Sequence, residues 1–165
     1  MTVYVPGDPV GKERARHDPR RPNERPRTPA KTRSYEEKIG WAWKQANGPK
    51  YDGPVEISIT VFLQVPKSYS KNTRAAMLYG DILPTRTPDI SNVLKAAEDG
   101  LNKIAYKDDS QIAFIKECGR YYAEEPGLLV RVEPANMAYA VADLYASLKL
   151  RDHLKRTTNT GGITK

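Results

Sequence analysis

The run from Val55 to Val65 constrains the fold most. Val55, Ile57, Ile59, Val61, Leu63 and Val65 alternate with Glu56, Ser58, Thr60 and Gln64, and Pro66 ends the run. Such period-two alternation places one row of branched side chains in a core and the other row on the opposite face, so a half-buried β-strand is expected here. A strand of this kind needs a partner sheet and a layer to cover its apolar face. Val3 to Val5 supplies a short candidate strand, and residues 111–122 and 128–133 supply two more around the Glu124-Glu125-Pro126-Gly127 turn. The last two are expected to form an antiparallel hairpin.

Four segments read as helices. Ser34-Tyr35-Glu36-Glu37 has capping-box spacing and Asn47-Gly48-Pro49 is a stop signal, which predicts a helix over 34–47. Trp41 and Trp43 cannot share one face of it, and core packing is the expected role of both. Ser70 to Tyr79, ending at Gly80, predicts a short second helix, and residues 81–87 a loop or short strand. Thr87-Pro88 suits the start of a third, because proline is tolerated in a first helical turn. In that third helix Ile90, Val93, Leu94, Ala97, Leu101 and Ile104 fall within about a 100° arc, which faces the core. Asn92, Lys95, Asp99 and Lys103 fall on the opposite side, with Asp89 at its mouth. Beyond Pro134, apolar residues at Met137, Val141, Leu144, Leu148 and Leu150 follow a helical pattern, and the last residues look frayed. No internal repeat is visible.

Charge narrows the partner. The 165 residues hold 27 Lys plus Arg against 20 Asp plus Glu, a net charge of +7. Most of that excess lies in residues 10–34, where nine basic residues (Lys12, Arg14, Arg16, Arg20, Arg21, Arg25, Arg27, Lys31 and Arg33) face three acidic ones. Six prolines between Pro6 and Pro29 bias the same segment to extended backbone, so a basic arm able to contact phosphates is expected. The composition excludes other classes. The single cysteine, Cys118, permits no internal disulfide, and with only His17 and His153 beside it no structural zinc site can be assembled. Both histidines read as solvated residues. No stretch approaches the ~20 apolar residues of a membrane helix, and the N-terminus lacks the apolar run of a signal peptide, so a cytoplasmic location is expected.

Chemistry concentrates between residues 87 and 111. Asp108 and Asp109 follow the third helix in a loop leading into a strand, where they could converge with Asp89 to hold Mg²⁺, or Mn²⁺ in its place. A hard cation needs only one or two carboxylates while it keeps waters. Such an ion activates water and neutralises charge on a phosphate, and Lys95 adds a further positive charge. With the basic arm, this is the composition of a metal-dependent nuclease.

The stretch PDISNVLKAAEDGLNKIAYKDDSQI, residues 88–112, closely resembles the signature of the RusA family of Holliday junction resolvases: Pro-Asp-x-Asp-Asn-x-x-Lys, then Asp-Ala-Leu-Asn, then Asp-Asp-x-Gln. The resemblance extends more weakly over roughly residues 3–133. It implies an α/β (α+β) domain over residues 1–134, with a mixed or antiparallel sheet packed by helices, and a C-terminal helical extension over 135–165. It also implies a homodimer, found in a bacterial or phage-infected cell, that binds four-way DNA junctions and cuts paired strands with Mg²⁺ in recombination or repair, with no small-molecule cofactor. Carried over residue by residue, Asp89, Asn92 and Lys95 match the first block, and Asp108 and Asp109 the last pair, with Asp109 as its essential member. Asp99 matches an aspartate inside the helix. The second aspartate of the first block is Ser91 here, a neutral oxygen in place of a charge. Two functions follow from that departure. One is a structure-selective endonuclease in which Asp89 and Asp109 ligate the metal, Ser91, Asn92 and Asp108 complete the site, and Lys95 assists hydrolysis. The other is a branched-DNA binding protein that does not cleave, its metal site decayed at Ser91.

Overall fold

In a computed structural model of the chain, residues 1–15 and 26–136 are described. The element order is β1 (Thr2–Pro6), α1 (Ala30–Gln45), β2 (Val55–Gln64), α2 (Lys71–Tyr79), α3 (Ile90–Leu101), a 3₁₀ turn at Asp109–Gln111, β3 (Ile112–Ala123) and β4 (Gly127–Pro134). The helical pattern beyond Pro134 lies outside the described residues except for Ala135 and Asn136, as do Arg16, His17, Arg20, Arg21, Arg25 and His153.

The four strands form one mixed sheet in the order β1-β4-β2-β3. β4 pairs antiparallel with both β1 and β2, and β2 pairs parallel with β3. This is an α+β fold, as expected. The apolar row of β2 is realised residue by residue, with Val55, Ile57, Ile59, Val61 and Leu63 buried and meeting Ile39, Trp43, Val93, Ala97 and Leu101 in the core, while in the other row Ser58 is buried as well. Burying each such aliphatic side chain contributes about 1.5–3 kcal/mol, which is what holds the helices on the sheet.

The expected hairpin is corrected by this topology. β3 and β4 run in opposite directions, but β2 lies between them. The three residues 124–126 therefore span two strand spacings, about 10 Å, which extended backbone can just reach. Leu128, Val130 and Val132 are fully buried and place β4 inside the sheet, whereas Ile115, Lys116, Glu117 and Cys118 are exposed along β3, an edge strand.

α1 begins at Ala30, four residues before the expected start, and Ser34 caps nothing. The first turn is pulled in by packing: Thr32 is fully buried, and its hydroxyl accepts the Glu13 amide at 3.4 Å. The two tryptophans part company. Trp43 is fully buried and donates its indole N–H to the Pro49 carbonyl at 3.1 Å, whereas Trp41 is 65% exposed, so core packing holds for Trp43 alone. α2 forms where its signals put it, with the Ser70 hydroxyl accepting the Thr73 amide and Gly80 closing the helix at φ 87°. Residues 81–87 form no strand. α3 starts at Ile90, so Pro88 precedes the helix and Asp89 is its N-cap residue.

α1 and α3 cross at two glycines. A Cβ on Gly100 would lie 2.6 Å from the Glu36 carbonyl oxygen, and one on Gly40 would lie 2.8 Å from the Gly100 carbonyl oxygen. Both distances are too short for any side chain, so the helices touch backbone to backbone. That contact brings Glu36 of α1 close to Asp99 of α3.

Candidate active site

Asp89, Asn92, Lys95 and Asp99 lie along one face of α3 because steps of three and four residues return to the same side of a helix. The two ends of this face differ. At the N-terminal end Asp89, Ser91 and Asn92 are exposed, and among the described residues Asp89 Oδ2 accepts only a long bond, 3.4 Å, from Asn92 Nδ2. Asp89 and Asn92 line a cleft of about 500 Å³ whose rim carries Lys31 and Arg86 as well as Asp8 and Glu13. Residues 10–12 cover the start of α3 closely: the Lys12 amide donates to the Asn92 carbonyl at 2.8 Å, and a Cβ on Gly11 would sit 2.9 Å from Asn92 Cβ.

Arg86 and Arg120 were not singled out by the sequence pattern. The Arg86 guanidinium donates to the Gln64 carbonyl at 2.7 Å, and Arg120 of β3 donates to the Arg86 and Pro88 carbonyls at 2.9 and 3.3 Å. Together they tie the segment leading into Asp89 to the ends of β2 and β3. The only sequence signal was the charge of Arg86 beside the Thr87-Pro88 step; Arg120, 32 positions beyond Pro88, carried none.

Six to ten residues further on, the same face is crowded with ion pairs. The Lys95 ammonium donates to Asp109 Oδ2 at 2.8 Å and lies 3.3 Å from Glu98 and 3.4 Å from Asp99. The bond to Asp109, with Asp99 and Glu98 behind it, outweighs partial burial and raises the Lys95 pKa above its ordinary 10.5. Lys95 is therefore a permanent cation at physiological pH. Tyr106 closes the floor beneath this cluster. It is fully buried and donates its hydroxyl to the Glu98 carbonyl at 2.8 Å, and burial together with the charges of Glu98, Asp109 and Asp99 pushes its pKa up, so it stays protonated.

Asp108 and Asp109 have separate surroundings. Asp108 caps the 3₁₀ turn: its carboxylate accepts the Ser110 amide at 3.1 Å, and Gln111 Oε1 accepts the Lys107 and Asp108 amides. Those bonds from Ser110 hold the Asp108 carboxyl below its usual range. Gln111 Nε2 also donates to the Tyr51 and Gly53 carbonyls, at 3.2 and 2.8 Å, and so fixes the turn that presents Asp109. Among the described residues no three His, Cys, Asp or Glu side chains are grouped so as to hold a metal ion, so Asp89, Asp108 and Asp109 form no ready-made cage.

The basic arm divides as well. Arg14, Arg27, Lys31 and Arg33 are exposed, while Lys12 is turned inward to Glu36 and Asp99. No helix among the described residues is long and apolar enough to cross a membrane.

The chain is 34% identical over 135 residues to the uncharacterized protein YqaN of Bacillus subtilis (strain 168), an alignment covering 80% of this chain and 93% of that protein. Residues 6–133, which contain the arm, the cleft, the Lys95 cluster and every element after β1 except the last residue of β4, match the family described as endodeoxyribonuclease RusA. The likeness noted for residues 88–112 thus runs through nearly all of the sheet and the helices on it, and the chain belongs to the RusA family of endodeoxyribonucleases.

Proposed function

We propose that this protein is a Mg²⁺-dependent endonuclease that resolves four-way DNA junctions as a homodimer, with residues 1–134 as its nuclease domain and 135–165 as a C-terminal extension. Its main support is the cleft, which gathers an exposed carboxylate and amide, Asp89 and Asn92, beneath a rim that carries Lys31 and Arg86. A polyanion is drawn to the rim, and an acidic end of α3 is useful there only if a cation joins it to the phosphate.

The donor set fits a hard cation. Asp89, Ser91, Asn92 and Asp109 offer only oxygen and amide groups, and among the described residues the Asp89 carboxylate accepts nothing stronger than the long bond from Asn92. Asp89 and Asp109 would hold the ion, with Ser91 and Asn92 completing the site and Asp108 shaping the turn beside it. When bound, Mg²⁺ lowers the pKa of a water and offsets charge on the phosphate. Lys95 stabilises the negative charge that builds on the phosphoryl oxygens as water adds to phosphorus and the bond to the sugar oxygen breaks. The arm residues Arg14, Arg16, Arg20, Arg21, Arg25, Arg27, Lys31 and Arg33 supply phosphate contacts along the junction arms. A twofold dimer would meet the two symmetry-related strands of a junction with two equal sites.

A four-way junction and a matched linear duplex, each incubated with Mg²⁺ and with EDTA, test this reading. Paired symmetric nicks are expected on the junction alone and with Mg²⁺ alone; equal cutting of the duplex, or cutting in EDTA, would overturn it. Ser91 favours a second reading, a junction-binding protein without cleavage. There, tight binding gives no nick until Ser91→Asp restores the carboxylate.

A further inference from the structure

Lys12 stands apart from the rest of the basic arm. Its ammonium donates to Glu36 Oε1 at 2.9 Å and to Asp99 Oδ2, and its side chain is only 29% exposed. The bonds to Asp99 and Glu36 outweigh its partial burial, and its pKa is raised. Its backbone amide is bonded to the Asn92 carbonyl, about two helical turns before Asp99. The root of the arm is thus fastened to α3 at both ends of the catalytic face. The backbone contact of α1 with α3 at Gly100 is what lets one ammonium reach Glu36 and Asp99 together.

Asp99 is shared. Oδ2 faces Lys12, while Oδ1 lies 3.4 Å from the Lys95 ammonium, which itself sits closer to Asp109, at 2.8 Å. Two lysines and the carboxylates of Glu36, Glu98, Asp99 and Asp109 make a cluster with excess negative charge. A Lys95 ammonium free to choose would be drawn toward whichever carboxylate is least neutralised. With Lys12 in place that carboxylate is not Asp99.

We propose that Lys12 is a positioning residue: by neutralising Asp99 it keeps the Lys95 ammonium directed at Asp109 and the scissile phosphate, and so ties the seating of the arm to the catalytic cation. This rests on reading the cleft as a nuclease site, and it moves Lys12 out of the set of residues that contact DNA. Without Lys12, Asp99 gains a full uncompensated charge and pulls Lys95 back along α3, away from Asp109. Displacements on this scale cost about tenfold to a hundredfold in rate.

The decisive experiment compares the wild type with Lys12→Met, Asp99→Asn and the double variant, in the full chain. Single-turnover cleavage at saturating junction, junction affinity against salt, melting temperature, and acetylation of Lys95 relative to exposed Lys103 are read together. Lys12→Met is expected to slow cleavage by about tenfold or more with affinity and salt slope unchanged, and to slow acetylation of Lys95. Asp99→Asn is expected to speed that acetylation, and the double variant to cleave like Asp99→Asn alone, because a neutral amide in place of the Asp99 carboxylate no longer competes for Lys95. The suppression is the signature that a merely structural lysine would not give.

Three results would overturn the proposal: a Lys12→Met protein with an unchanged rate at saturation and a salt slope reduced by about one, which marks a simple phosphate contact; a double variant slower than either single one; or Lys95 labelling that is indifferent to Lys12. Should Lys12→Met fail to fold, Lys12→Arg serves instead, and must keep both the wild-type rate and the wild-type labelling of Lys95. A wild type that never nicks DNA would sink the nuclease reading, while the labelling pattern would still decide the role of Lys12.

Discussion

The two ends of the exposed face of α3 are built on opposite principles. Among the described residues the Asp89 and Asn92 side chains share only a long bond and line a cleft, with Ser91 exposed beside them; Lys95, Glu98 and Asp99 are saturated by one another and by Asp109 and Lys12. An unsatisfied carboxylate at a surface is free to take a cation or a ligand, because no internal partner has to be given up. A saturated cluster holds its charges still, which is what a positioned catalytic cation requires. One helix thus carries a receiving end and a fixed end, and the difference lies in what the rest of the chain brings to each.

The largest effects should come from removing each end's central charge. Asp89→Asn is expected to lower cleavage by about 10³-fold and Lys95→Met by about 10²-fold, each with junction affinity in EDTA nearly unchanged. Loss of binding in a folded Asp89→Asn protein would show that the open end holds DNA directly rather than through a cation.

Gly100→Ala attacks the fixed end without touching a charge. Its methyl group would meet the Glu36 carbonyl, so α1 and α3 must part, at a cost of about 1–3 kcal/mol and a melting temperature lower by several degrees. Cleavage should fall with it, because Glu36 and Asp99 no longer converge on Lys12. A Gly100→Ala protein of unchanged melting temperature would mean that the close crossing is not required.

The smallest effect concerns the turn that presents Asp109. The Asp108 carboxyl is held below its ordinary value of 3.8 in the folded chain, so the stability it adds is present above that value and lost as pH falls through it. Between pH 5 and about pH 3 the melting temperature of the wild type should therefore fall more steeply than that of Asp108→Asn, which keeps the capping oxygen but carries no charge. Parallel acid limbs would remove Asp108 from the devices that fix this turn.

Much of this was legible in the residues. The alternation of β2, the Ser70 and Gly80 boundaries of α2 and the apolar arc of α3 are local patterns, and local patterns survive folding where packing agrees with them. The start of α1 was misread because burial of Thr32 outweighed the capping box at Ser34. The indole of Trp41 was misassigned because spacing says that two tryptophans diverge but not which one faces the core. In the candidate site the motif's Asp89 does stand beside Asn92 and its Lys95 beside Asp109, whereas the inward turn of Lys12 and the contacts of Glu36, Arg86 and Arg120 could not be read from the residues.

By itself, then, the sequence determined which segments are strands and helices, that one face of α3 would be charged, and that the chain carries a basic arm beside it. Only the tertiary structure decided that β2 runs between β3 and β4, that two glycines let α1 lie against α3, and that a lysine from the arm shares Asp99 with Lys95. The division has a physical cause: periodicity and capping are set by neighbours within a turn or a pleat, while strand order and shared ion pairs depend on groups as far apart along the chain as Thr2 and Arg131, or Lys12 and Asp99, which meet only when the core closes.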